Sequence, residues 1–121
     1  MLQPALAQKL TERKTVFGVS MRFPDPAVIE ALGSGWDFTW IDIQHGAITL
    51  EQLPDMIRAC ELVEMAAFVR LDAALQPAEA SKIMDMDVAG IIAAQIDTPE
   101  KAQIVINSVK FPPIGNRSYG G

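Results

Sequence analysis

Residues 38–72 read FTWIDIQHGAITLEQLPDMIRACELVEMAAFVRLD, and they contain two apolar runs, at 38–43 and 66–71, on either side of a polar, periodic segment. Both runs are continuous rather than alternating and rich in β-branched and aromatic residues, as strands buried on both faces tend to be. Between them, apolar residues recur at steps of three or four, which predicts a helix with one buried stripe: Leu50, Leu53, Ile57, Cys60 and Val63. The stretch therefore predicts a strand, a helix and a second strand.

The start of this helix carries two further signals. Thr49 and Gln52 have the spacing of a capping box, in which each side chain accepts a hydrogen bond from the backbone of the other residue. Pro54 lies late for a helix that begins at Leu50, because proline lacks the N–H that the helix interior needs. We therefore expect an irregular first turn.

The same alternation extends in both directions. Two more apolar runs, TVFGVSM (15–21) and GIIAAQI (90–96), predict two more strands. Helices are predicted after the first, third and fourth strands, with Asp25 and Thr98 as N-caps and a proline near each helix start. We expect one partial domain over residues 1–121: a helical lead at 1–14, four βα units at 15–111 and a loop at 112–121.

A βα alternation implies a parallel sheet with right-handed helical crossovers. Two α/β architectures fit: a small doubly wound open sheet, or the N-terminal half of a (β/α)8 TIM barrel. The final residues, FPPIGNRSYGG, carry turn-forming residues and no closing element, so we interpret the C-terminus as a truncation.

Composition excludes several classes of function. The net charge is −5 and the ten Lys and Arg residues are scattered, so we expect no nucleic-acid partner. No signal peptide is recognisable, and the apolar runs are too short for a membrane span. With a lone Cys60, interpreted as a small core residue, the chain fits the reducing cytoplasm.

The strand ends carry the candidate chemistry, because ligands of parallel α/β proteins bind at the carboxyl ends of the strands. Asp42 and His45 are three residues apart at the second strand end. A turn there could let the carboxylate hydrogen-bond one imidazole nitrogen and leave the other as a general base. The alternative is that His45 is only a polar residue that caps the next helix.

Arg70 lies inside the third apolar run, where a guanidinium needs an anion. It could bind a substrate carboxylate in a bidentate manner, or it could form an internal ion pair with Asp42 or Asp72. With the Asp42 and His45 pair beside it, the pattern favours proton transfer next to a bound 2-oxo acid. Neither a glycine-rich phosphate loop nor a serine nucleophile elbow is present in the sequence.

Several segments together resemble the HpcH/HpaI aldolase/citrate lyase family: FGVSM, PAVIEALGSGWDFTWIDIQHG, AAFVRLD, DVAGIIAAQIDTPEKA and FPPIGNRSYG. The resemblance implies a (β/α)8 barrel that reversibly cleaves a 4-hydroxy-2-oxo acid to pyruvate and an aldehyde. It also implies that His45 is the general base or positions a water, that Asp42 orients it, and that Arg70 binds the pyruvate carboxylate. Gln44, Gln95 and Ser20 are the further substrate-binding candidates at the strand ends.

The resemblance further implies a divalent metal ion, Mg²⁺ or Mn²⁺, that acts as a Lewis acid. Its expected ligands lie on strands beyond Gly121, so we expect no metal ligand in this chain. A homo-oligomer is implied as well. A second hypothesis, from a different class, is a non-catalytic half barrel completed by self-association or by a partner chain, since an open half barrel exposes strand edges.

Overall fold

The computed structural model describes residues 3–120. Four strands are present: β1 (Gly18–Met21), β2 (Phe38–Asp42), β3 (Ala66–Leu71) and β4 (Gly90–Ala93). Five α-helices accompany them: α1 (Pro4–Thr11), α2 (Pro26–Leu32), α3 (Leu53–Leu62), α4 (Pro77–Met84) and α5 (Pro99–Val109). Short 3₁₀ turns occupy Gly33–Gly35 and Leu50–Gln52. No helix in residues 3–120 has both the length and the apolar character to cross a membrane.

All strand pairs are parallel, and the strand order is β1-β2-β3-β4, the same as the order in the chain. A doubly wound sheet reverses its strand order at a switch point, whereas a barrel adds each strand beside the previous one. Right-handed crossovers between consecutive strands place all the connecting helices on one face. The fold is thus half of a TIM-type barrel, and this prediction is confirmed.

The two faces of the sheet differ. On the helix side, strand residues such as Ile41 and Val69 are fully buried against α3, where Leu53 and Cys60 are also fully buried. On the opposite face, the rings of Phe38 and Phe68 meet edge to face, with 5.7 Å between their centroids. Beside them an apolar cavity of about 200 Å³ remains, lined by Leu6, Leu10, Val16, Phe38, Phe68 and Ile92.

Two of those residues, Leu6 and Leu10, belong to α1, which therefore borders the cavity. Gly18 leaves room for the Phe38 ring, because a Cβ at Gly18 would lie 2.1 Å from an atom of that ring.

The helix starts follow the expected chemistry. The Asp25 carboxylate accepts a hydrogen bond from Ala27 N at 3.0 Å, and Thr98 Oγ1 accepts one from Lys101 N at 3.2 Å. Thr49 N donates to Gln52 Oε1 at 2.9 Å, within a complete capping box. The irregular first turn is also confirmed, because the chain forms a 3₁₀ turn at Leu50–Gln52 before the α-helix starts at Leu53.

Two predicted strands are shorter in the structure than in the sequence pattern. The run at 15–21 pairs only from Gly18, and the run at 90–96 pairs only as far as Ala93. Gln95 has a φ of 54°, so the chain turns there instead of continuing the strand. After α5, residues 112–120 fold back on that helix, with Asn116 N donating to Asn107 O and Arg117 N to Lys110 O. The ends of the predicted lead and loop, Met1, Leu2 and Gly121, lie outside the described residues.

Candidate active site

The parallel register brings the second and third strand ends together. Asp42 on β2 is the direct register partner of Arg70 on β3, and Ile43 N extends the pairing with a hydrogen bond to Arg70 O at 3.1 Å. Side chains of register partners project from the same face of a sheet. The carboxylate and the guanidinium therefore share the face opposite the helices.

The Asp42 carboxylate is almost fully buried, with 3% of its side chain exposed. Its Oδ2 accepts a hydrogen bond from Arg70 Nη1 at 3.2 Å. Its Oδ1 accepts from Gln44 N at 3.1 Å and from His45 N at 3.0 Å. A buried charge is tolerated only when it is paired and hydrogen-bonded, and Asp42 meets both conditions.

The expected hydrogen bond between the Asp42 carboxylate and the His45 imidazole is not formed in residues 3–120. The carboxylate holds the backbone N–H of His45 instead. In the tight turn after β2, the backbone N–H groups of Gln44 and His45 donate to Asp42 Oδ1, while Oδ2 accepts from Arg70. The His45 side chain is exposed at the rim of the site. The ion pair of Arg70 with Asp42, considered as the alternative to substrate binding, is present.

Arg70 is held in a defined position without being fully enclosed. Its guanidinium carbon lies 5.1 Å from the ring centroid of Trp40, a distance at which a cation and an aromatic face attract each other. About a quarter of the side chain (26%) is exposed. Within residues 3–120, its side-chain hydrogen bond runs from Nη1 to Asp42, which leaves the other guanidinium N–H groups for an incoming anion.

Gln44 reaches the next strand end. Its Nε2 donates to Asp72 Oδ1 at 3.0 Å, while its Oε1 is buried and has no hydrogen-bond partner in the described part of the chain. A buried carbonyl oxygen without a donor is costly, so it is a position where a bound donor would be accepted. Gln44 therefore lies beside the Asp42 and Arg70 pair with one acceptor free.

Several known proteins are similar to this chain in sequence or in fold. No family model matches the sequence. The hydroxypyruvate/pyruvate aldolase of Rhizorhabdus wittichii is 33% identical over 101 residues, which cover 83% of this chain and 40% of that protein. The crystal structure of citrate synthase SbnG superposes with a TM-score of 0.86 and 32% identity over 98% of this chain and 48% of that one.

A Burkholderia cenocepacia protein of the HpcH/HpaI aldolase/citrate lyase family superposes with a TM-score of 0.85 and 23% identity, over 97% of this chain and 48% of that one. Other curated relatives are likewise aldolases. Along most of its length the chain is similar in sequence to aldolases, and its fold matches that of the HpcH/HpaI aldolase/citrate lyase family. It spans about 40–48% of the length of these relatives.

Two predicted site residues, Ser20 and Gln95, lie outside the hydrogen-bonded cluster of Asp42, Arg70 and His45. Ser20 lies on β1 as the register partner of Trp40, two residues before the level of Asp42 and Arg70. Gln95 is exposed beyond the end of β4, and its backbone O accepts a hydrogen bond from Lys101 Nζ at 3.3 Å. In residues 3–120 no hydrogen bond connects either side chain to Asp42, Arg70 or His45. Their substrate-binding roles stay predictions.

One residue of the site was missed by the sequence interpretation. Arg22, just after β1, donates from Nη2 to His45 O at 2.9 Å and brings Nε to 3.9 Å from Asp42 Oδ2. Its place at a strand end was the available signal, because a strand-end arginine in a parallel sheet lies near the other strand ends. The acceptor, a backbone carbonyl in a neighbouring loop, could not be identified from the residue pattern.

The described residues do not by themselves fit a divalent metal ion. No group of three or more His, Cys, Asp or Glu side chains within residues 3–120 is arranged to hold one. The most buried carboxylate of the site, Asp42, already uses both oxygens for Arg70 and for backbone N–H groups. The expectation that the ligands lie beyond Gly121 stays a prediction.

Proposed function

We propose that this chain supplies the base and the carboxylate-binding part of an aldolase active site that reversibly cleaves a 4-hydroxy-2-oxo acid to pyruvate and an aldehyde. The observation that carries the proposal is the convergence of Asp42, Arg70 and the exposed His45 at the carboxyl edge of the sheet. The relatives support the reaction class, since they are aldolases and, in one structure, a citrate synthase. All of these make or break carbon–carbon bonds.

In this proposal Arg70 binds the substrate carboxylate through the guanidinium N–H groups that Asp42 leaves free. The His45 imidazole accepts the proton of the 4-hydroxyl group as the C3–C4 bond breaks. The electron pair of that bond passes into the pyruvate enolate, the aldehyde leaves, and a proton added at C3 completes pyruvate. Asp42 contributes indirectly, because it fixes both the Arg70 guanidinium and the His45 backbone.

The divalent ion, Mg²⁺ or Mn²⁺, belongs to the proposal only through the family, with its ligands expected beyond Gly121. Gln44, with a free Oε1, is proposed to accept a hydrogen bond from the substrate. The cytoplasmic location, the homo-oligomer and the absence of a nucleic-acid partner remain proposals. So does the division of residues 1–121 into one partial domain with a helical lead and a final loop.

The test is pyruvate release from 4-hydroxy-2-oxo acids, with added Mn²⁺ or Mg²⁺, by a full-length protein in which this chain is joined to the strands expected to carry the metal ligands. We expect His45→Ala and Arg70→Ala each to lower kcat/KM by about a hundredfold, in line with acid-base contributions. Arg58→Ala is the control, because Arg58 lies on α3 with 71% of its side chain exposed and forms an ion pair with Asp55, three residues earlier on the same helix. Near-normal turnover in His45→Ala would refute the role of the base.

A second candidate function is a non-catalytic half barrel completed by a second copy. Among residues 3–120, the outer edges of β1 and β4 carry no strand partner. The face opposite the helices keeps an apolar cavity of about 200 Å³. Because the strand order is sequential, β1 of one copy placed against β4 of another would continue the same parallel order. Light scattering that gives the mass of a dimer, with no pyruvate release, would favour this candidate, and a monomer would exclude it.

A further inference from the structure

Arg22 joins the end of β1 to the turn that carries His45. Its Nη2 donates to His45 O at 2.9 Å, and its own backbone O accepts from Ala47 N at 3.0 Å. Its Nε lies 3.9 Å from Asp42 Oδ2. The side chain of Arg22 thus binds the turn at His45, and its main chain binds the turn at Ala47.

The His45 main chain is consequently fixed on both sides. Its N–H donates to Asp42 Oδ1 at 3.0 Å, and its C=O accepts from Arg22 Nη2 at 2.9 Å. With the flanking peptide planes held, the direction of the Cα–Cβ bond is set, and the imidazole retains only its χ1 and χ2 rotations. A general base needs this restriction, because a misplacement of about 1 Å can cost about a hundredfold in rate.

Gly46 shows how closely the turn lies against Arg22. A Cβ at Gly46 would lie 2.1 Å from Asp42 O and 3.1 Å from Arg22 O, both of them backbone atoms. Gly46 N also donates to Asp42 O at 3.0 Å. The turn therefore fits against the end of β1 without a side chain between them.

We infer that Arg22 is a positioning residue, whose guanidinium holds the His45 carbonyl so that the imidazole is presented to the substrate. This inference rests on the proposed role of His45 as the base. More than half of the Arg22 side chain (55%) is exposed, whereas 3% of Asp42 is exposed. Asp42 keeps Arg70 as its partner when Arg22 is replaced, so the substitution leaves no buried charge unpaired.

The test uses the fact that His45 is the only histidine of the chain. Its ring ¹H–¹³C signals and the exchange rates of the His45 and Gly46 amides are measured by NMR in the full chain. In Arg22→Met, which keeps the stem and removes the donors, we expect altered ring signals and amide exchange at least about tenfold faster. The bond from Ala47 N to Arg22 O survives, so the change reports the guanidinium alone.

Arg22→Lys keeps the charge and places its N–H donors on one ammonium nitrogen, so we expect intermediate exchange rates, which a general loss of stability would not produce. Arg58→Met is the matched control, with an exposed arginine exchanged at a distance from the turn. Unchanged ring signals and exchange rates in Arg22→Met would overturn the inference.

Turnover gives an independent readout. If the chain releases pyruvate, we expect Arg22→Met to lower kcat about tenfold with little change in KM, because substrate binding stays with Arg70. An unchanged kcat would overturn the inference while leaving the proposed function intact. If no pyruvate is released even by a full-length protein that carries these residues together with the expected metal ligands, the proposed function fails, and the NMR comparison still decides whether Arg22 holds the turn.

Discussion

At the scale of single residues, Asp42 connects the parts of the site. Its two oxygens hold the Arg70 guanidinium and two consecutive backbone N–H groups of the turn after β2. Hydrogen bonds to a charged group are about twice as strong as those between neutral groups, and burial strengthens them further. The pair of Asp42 and Arg70 should therefore contribute measurably to stability, unlike an ion pair at the surface.

A double-mutant cycle measures this contribution. We expect Asp42→Ala and Arg70→Ala to show a coupling energy of about 1–3 kcal/mol in urea unfolding, because one carboxylate is buried and the guanidinium is mostly enclosed. The cycle of Arg58→Ala with Asp55→Ala is the control, since both side chains are about 70% exposed. That exposed pair should couple by less than about 0.5 kcal/mol. Equal coupling in the two cycles would contradict the assignment.

The residues of the site could be predicted from the sequence, but not all of their contacts. Asp42, His45 and Arg70 were identifiable because charged residues at the ends of apolar strands require partners. Which atoms meet depends on the register, which places Arg70 directly beside Asp42 and leaves the imidazole without the carboxylate. The role of Arg22 was missed for the same reason, because its acceptor is a backbone carbonyl on a neighbouring loop.

At the scale of elements, helix starts were predictable and strand ends were not. A helix start depends on local chemistry, a cap and a proline, and these are visible at Asp25 and Thr98. A strand end depends on where the neighbouring strand stops pairing. The apolar run at 90–96 continues past Ala93, but β3 ends at Leu71, so its pairing with β4 stops at Ala93.

Thr98 provides a test at this scale. Its Oγ1 accepts a hydrogen bond from Lys101 N, so Thr98→Ala leaves that N–H of α5 without its cap. We expect a loss of about 1 kcal/mol in the free energy of unfolding, measured by urea titration. Thr98→Ser should retain most of the stability. Gln76→Ala is the control, because the Gln76 side chain makes no capping hydrogen bond to α4, and a comparable loss there would refute the explanation.

At the scale of the whole molecule, α1 is joined to the sheet by Asp37. The Lys9 side chain donates to Asp37 Oδ1 at 2.5 Å, and Phe17 N donates to Asp37 Oδ2 at 2.9 Å. The Lys9 ammonium, followed by the Phe17 amide, lowers the pKa of the Asp37 carboxyl below its usual value of 3.8. The folded chain therefore binds a proton at Asp37 less readily than the unfolded chain.

This difference predicts the pH dependence. The stabilisation from Asp37 is complete above the ordinary pKa and is lost as the pH falls through the lowered pKa, because the unfolded state then binds more protons. We expect Asp37→Asn and Lys9→Met each to reduce the fall in unfolding free energy between about pH 6 and about pH 3. Urea titrations across this range measure the effect. Curves parallel to that of the unsubstituted chain would show that α1 is not held by this pair.

Cys60 reports whether the four βα units fold as one body. Its side chain is fully buried between α3 and the sheet, and burial raises the pKa of the thiol to about 12. In an unfolded chain a thiol has a pKa of about 8.5, so at pH 8 its reactive thiolate fraction is about a thousandfold larger. Thiol reagents should therefore reach Cys60 only when the core opens.

We expect Cys60 to react with a disulfide reagent at pH 8 at least about a thousandfold more slowly in native buffer than in concentrated urea. The control is Ser34→Cys in a Cys60→Ala background, because Ser34 is exposed and a thiol there should react at once in both solvents. Rates at Cys60 that differ by less than tenfold would mean that the half barrel opens freely in native buffer. Slow reaction would mean instead that four parallel strands and their helices suffice for a closed core beneath α3, although the face opposite the helices still borders an apolar cavity.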